Sequence, residues 1–149
     1  MDPFIVGAVL VGLVVISTAI GLVVRGREGR VQEVRAFRRV VPAQLGSSEK
    51  LGTSVTLLQF STEMCSKCPG TAELLHKTAD ARAGVSHIEI DVTHRPDIAN
   101  EVNIMQTPTT LILDASGAIA ARIGGAPRLD ALKHAIDIAQ RRDHGLYVI

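Results

Sequence analysis

The stretch VTLLQFSTEMCSKCPG, residues 55–70, joins an almost continuous apolar run to the chain's two cysteines, Cys65 and Cys68. A short run of this kind reads as a strand covered on both faces. A helix is expected after the cysteines, because Leu74, Leu75, Thr78, Ala79 and Ala83 fall on one side and Gly84 can stop it. The cysteines therefore stand at a strand-to-helix junction, Cys65 at the helix mouth and Cys68 in its first turn. Residues three apart share a helix face. That spacing predicts Cα atoms about 5 Å apart, inside the roughly 4.4–6.8 Å that a disulfide accepts. Pro69 suits the first turn, where a missing N–H costs little.

The pair is better suited to chemistry than to stapling. At 149 residues the chain fits one domain, and two cysteines are too few for a disulfide scaffold. A bridge between such near neighbours closes a small loop and adds little stability. A thiolate is the reacting species, and unpaired N–H groups at a helix N-terminus favour it by about 0.3–1 kcal/mol. Lys67 would add to that effect and Glu63 would oppose it. Cys65 is thus the expected nucleophile, and Cys68 the thiol that resolves the mixed disulfide. Two other readings stay open on spacing alone, a two-cysteine Cu(I) carrier and a non-catalytic adaptor. His76, His87, His94, His134 and His144 lack the spacing of a zinc ribbon or finger and read as surface or helix-end residues; no metal site is expected. A net charge of +1 gives no reason to expect nucleic acid as a partner.

Outside this region, Phe4 to Val24 carries no charge. As a helix its length is about 31 Å at roughly 1.5 Å per residue, matching a hydrocarbon core of about 30 Å. A signal peptide would show a positive n-region and a shorter apolar run, whereas only Met1-Asp2-Pro3 precedes this one. Residues 1–24 are read as a transmembrane helix. Arg25, Arg27, Arg30, Arg35, Arg38 and Arg39 on its far side place the N-terminus outside and the following domain in the cytoplasm. Ala8–Gly12 and Ser17–Gly21 have small-residue spacings that pack helices in lipid. Residues 25–54 read as a basic juxtamembrane linker, with Val31, Val34, Phe37 and Val41 as one helical stripe before Pro42 and a loop at 46–48.

The main domain is expected over 55–142, with a tail at 143–149. HIEIDV (87–92) alternates as a strand. THRPDIANEVN (93–103) reads as a short helix with Thr93 as cap, Pro96 in the first turn and Asn103 near the end. TTLILD (109–114) and AIAARIG (118–124) form a hairpin through Asp114-Ala115-Ser116-Gly117. The closing helix, about 128–142, buries Leu129, Leu132, Ala135, Ile136 and Ala139, and Gly145 can stop it. This order predicts an α/β fold: a mixed sheet with helices on both faces.

With the apolar strand, C-S-K-C at a helix start, Asp91 at the end of the next strand and Q-T-P-T at 106–109, the chain resembles the thioredoxin family over about Val55–Ala139. With its apolar N-terminus it is similar to the membrane-anchored thioredoxin-like proteins of actinobacteria. The resemblance implies a thioredoxin-like fold, a redox-active Cys65–Cys68 disulfide with no cofactor, and a cis Thr107–Pro108 bond beside the cysteines. It also implies that Met64, Ser66, Lys67, Thr107 and Pro108 contact the substrate, with Gln59, Pro69 and Gly124 in support. Expected partners are a disulfide-containing protein or small molecule, an upstream thiol reductant system, and the membrane. The same domain outside the cytoplasm would instead act as an oxidant, an isomerase or a reductant fed across the membrane. Three positions depart from the family pattern: Met64 replaces its usual Trp, Ser66-Lys67 its frequent Gly-Pro, and Gln59 its buried Asp. Glutamine cannot take up a proton near neutral pH, which predicts a slow resolving thiol.

Overall fold

The computed structural model describes residues 2–34 and 39–143. Five strands form one sheet in the order β1-β5-β4-β2-β3. They are β1 (Val31–Glu33), β2 (Val55–Ser61), β3 (Val85–Asp91), β4 (Thr109–Asp114) and β5 (Ile119–Gly124). The central β2 and β4 are buried along their whole length, as their continuous apolar runs require. β2 pairs in parallel with β3 and antiparallel with β4, so the sheet is mixed.

Helices α2 (Cys68–Asp80) and α4 (Leu129–Asp143) cover one face. There Leu75, Leu132, Ala135 and Ile136 meet Val55, Leu57 and Ile112. The short α3 (Pro96–Glu101) covers the other, where Ile98 joins Leu58, Phe60, Ile88 and Leu111. The hairpin turn forms as expected: the Asp114 carboxylate accepts N–H bonds from Ser116 (2.9 Å) and Ala118 (3.0 Å), and Gly117 takes a φ of 80°.

Helix α1 (Pro3–Arg27) stands apart from this core. Its Pro3–Gly26 stretch is long and apolar enough to cross a membrane and has no buried residue, and a signal sequence near an N-terminus fits the same description. Ser17 and Thr18 donate their hydroxyls to the carbonyls of Leu13 and Val14, each at 2.7 Å, so neither leaves an unpaired polar group on the apolar surface.

Four readings are corrected. Val31 belongs to a strand rather than a helical stripe, pairing with Ile123 of β5, so part of the expected 25–54 linker lies inside the sheet. The cause is long-range: without β1, β5 would be an open edge with unpaired backbone groups. Val41 is exposed, and Phe37 lies outside the described residues. Leu129 is exposed because it opens α4 before the helix settles on the sheet, and Ala83 is exposed beyond the end of α2. Thr93 does not cap α3, whose N-cap is Arg95; its hydroxyl and N–H both turn back to Asp91. Gly145 and the rest of the tail beyond Asp143 lie outside the described residues.

Candidate active site

β2 ends at Ser61 and α2 begins at Cys68, so both cysteines occupy the junction between them. Cys65 precedes the helix and is partly exposed, while Cys68 opens the helix and is only 3% exposed. They are joined in a disulfide with Cα atoms 5.4 Å apart. Pro69 follows in the first turn as expected. The cysteines share a groove of about 350 Å³ with Glu63, Glu89 and Asp91, which give it an acidic wall. Asp91 is held below the usual carboxylate range, chiefly by hydrogen bonds from the Thr93 hydroxyl and N–H.

The loop before β4 closes the site from the other side. The Thr107–Pro108 bond is cis. The hydroxyls of Thr62 and Thr107 lie 3.0 Å apart, fastening the approach to Cys65 to this loop. Pro108 accepts a bond from the Gly125 N–H at 2.8 Å. A Cβ on Gly124 would come within 2.7 Å of the Gln106 side-chain amide, whose exposed end can swing aside. Met64 projects from the rim 93% exposed, an apolar and adaptable contact where the family commonly has Trp. Ser66 is also exposed.

Behind Cys68, Gln59 is fully buried. Its amide Nε2 donates to the Cys68 carbonyl at 3.1 Å, and its Oε1 lies 3.1 Å from His87 Nε2. Because a glutamine Oε1 only accepts, this contact puts the imidazole proton on Nε2. Burial pushes the His87 pKa below its ordinary value, with Glu89 pulling up and His76 pushing further down.

Two participants were not legible as such. His87 read as a surface residue, yet β2 and β3 run parallel in register with Gln59 opposite Glu89. The alternation of β3 therefore puts His87 and Glu89 on the face that carries Gln59. That signal becomes usable only once the pairing is known. Glu28, just past α1, carried no signal at all. Its carboxylate accepts from Lys67 Nζ at 2.8 Å, and this hydrogen bond is the main cause of its lowered pKa. Lys67 is thus partly neutralised rather than free to favour a Cys65 thiolate. Among the described residues, no group of three or more His, Cys, Asp or Glu is gathered to hold a metal ion.

A family model described as Thioredoxin matches residues 45–138, well over half the chain. The chain belongs to the thioredoxin family. Thioredoxin H2 of Arabidopsis thaliana is 28% identical over 100 residues, covering 66% of this chain and 75% of that protein. Thioredoxin-2 of Pyricularia oryzae is 29% identical over 77 residues, covering 51% of this chain and only 45% of its own length. The crystal structure of thioredoxin f from spinach chloroplast superposes with a TM-score of 0.52 at 27% identity, over 60% of this chain and 79% of that one. As a thioredoxin with both cysteines in place, the chain is a thiol–disulfide oxidoreductase. Thioredoxins use no cofactor beyond their redox-active disulfide, and the family works on disulfide-containing proteins with thiol reductants as partners.

Proposed function

We propose that this thioredoxin is membrane-anchored through α1, faces the cytoplasm, and reduces disulfides in proteins or small molecules. The observation that carries the reading is the unequal pair: both cysteines line the groove, but Cys65 is partly exposed whereas Cys68 is only 3% exposed. An incoming disulfide meets Cys65 first. Its thiolate bonds to one substrate sulfur, the substrate S–S bond breaks, and the departing thiolate takes a proton from water. Cys68 then loses its proton and attacks the Cys65 sulfur, releasing the second substrate thiol and forming the Cys65–Cys68 disulfide. Two electrons have passed to the substrate, and an upstream dithiol restores them. Met64, Ser66 and the Thr107–Pro108 loop line the approach, with Thr107 presenting backbone to an extended substrate segment. Gln59, Pro69 and Gly124 support the pair from behind.

The anchor reading rests on the apolar length of α1, its unburied surface, and the arginines that follow it. A cytoplasmic domain meets a reducing thiol pool, so the net direction is reduction.

The test is insulin reduction by the full chain in membranes. Changing Cys65 to Ser abolishes it, whereas changing Cys68 to Ser traps a mixed disulfide with substrate. Activity persisting after both changes would refute the redox assignment. A reporter fused after Ile149 reads the topology; an external reporter would reverse the direction of electron flow.

A further inference from the structure

We infer that the redox groove works at the membrane surface, next to the headgroup layer of the bilayer, on a cysteine pair in the juxtamembrane segment of another membrane protein. The inference rests on the anchor and redox readings above. Only Glu28, Gly29 and Arg30 separate the end of α1 from β1. The first two are already bonded to the domain, and both bonds land beside the cysteines and the cis-proline loop: on Lys67, and on Gly124, which pairs with Thr109. Glu28 pairs with Lys67, which lies between the two cysteines, at 2.8 Å. The Gly29 N–H donates at 2.8 Å to the carbonyl of Gly124, the last residue of β5. Gly29 also takes a φ of 72°, and a Cβ there would lie 2.8 Å from the Ala126 carbonyl oxygen, so the close approach needs glycine. These bonds hold the cysteine side of the domain toward the end of α1.

The distances place that face. From Val24, the end of the apolar run, to Glu28 the helical rise is about 6 Å. The headgroup layer outside each edge of the hydrocarbon is about 5–8 Å thick. Glu28 thus sits at the outer edge of this layer, and an extended lysine stem of about 6 Å connects its carboxylate to the Cys65–Cys68 turn. The cysteines lie within about 15 Å of hydrocarbon, less if α1 tilts. Met64 and Met105, on the loops that carry Cys65 and Thr107, are 93% and 89% exposed. Apolar, flexible side chains suit a segment emerging from lipid. The exchange is the one already written, the substrate disulfide being reduced as Cys65–Cys68 is oxidised.

The test uses the full chain, pre-reduced, in vesicles of phosphatidylcholine and phosphatidylglycerol. The probes are two single-span peptides with a Cys-x-x-Cys disulfide, one about 3 and the other about 25 residues beyond the apolar run, read by thiol alkylation over one turnover. The near disulfide is expected to be reduced at least about tenfold faster than the far one. Inserting about 20 Gly/Ser residues between Arg27 and Glu28 lifts the domain and erases that preference, while a soluble chromogenic disulfide is reduced as before. Equal rates on the two peptides, or a preference that survives the insertion, overturn the inference and leave the redox and anchor readings standing. Failure of the chain to sediment with vesicles, or to reduce the soluble disulfide, overturns it together with the reading concerned.

Discussion

Replacing Gln59 with Asp tests how the proton leaves Cys68. Among the described residues the side chain bonded at the Cys68 backbone is an amide, Gln59, with Nε2 on the carbonyl at 3.1 Å and Oε1 toward His87. Neither group of the amide accepts a proton, so Gln59 gives Cys68 no base. Resolution needs the thiolate, so while the thiol form predominates its rate climbs nearly tenfold per pH unit. A carboxylate at a fully buried position provides a base. Positioned general bases contribute about 10²–10⁴-fold, but Asp is one methylene shorter than Gln and stands farther from Cys68, so at most the low end applies. We expect resolution at pH 7 to rise by about ten- to a hundredfold, or roughly 1.4–2.7 kcal/mol of barrier. The Cys68 carbonyl also loses its amide donor, at a cost of about 1–3 kcal/mol in stability. Stopped-flow absorbance with a stoichiometric chromogenic aryl disulfide separates the two events: the first thiolate released reports Cys65, the second reports Cys68. Gln59→Leu controls for damage, losing stability with no acceleration. A second phase for Gln59→Asp within about twofold of native, with an unchanged pH slope, would refute the argument.

Burial lowers the His87 pKa, so the unfolded chain binds that proton first as pH falls. Its contribution to stability is complete above about pH 6.5 and is lost as pH drops from there through the folded-state value. Urea unfolding at neutral and mildly acidic pH will show this loss, and His87→Gln will reduce it. Leu75→Ala empties a fully buried position between α2 and the sheet and will cost about 2–5 kcal/mol, read as a lower urea midpoint at unchanged m. Gly29→Ala forces a side chain against the Ala126 carbonyl at positive φ, for a loss of about 1–3 kcal/mol seen in thermal unfolding.

What the sequence by itself determined is local. The apolar run at 55–60, the helix signals after Cys65 and the Asp114–Gly117 turn each lie within a few residues, where periodicity and turn chemistry act. Leu132, Ala135, Ile136 and Ala139 likewise announce the buried face of α4 by their spacing alone, and the structure leaves all four fully buried. The tertiary structure decided whatever needed a partner far along the chain. Val31 reads equally well on a helix or a strand until β5 arrives beside it. His87 is an ordinary polar residue until parallel pairing sets it beside Gln59, 28 positions away. Glu28 is one charge among many until the fold carries Lys67, 39 positions away, onto it. Local geometry follows from backbone sterics and side-chain period, but long-range contacts depend on register and packing, which no short window of sequence contains.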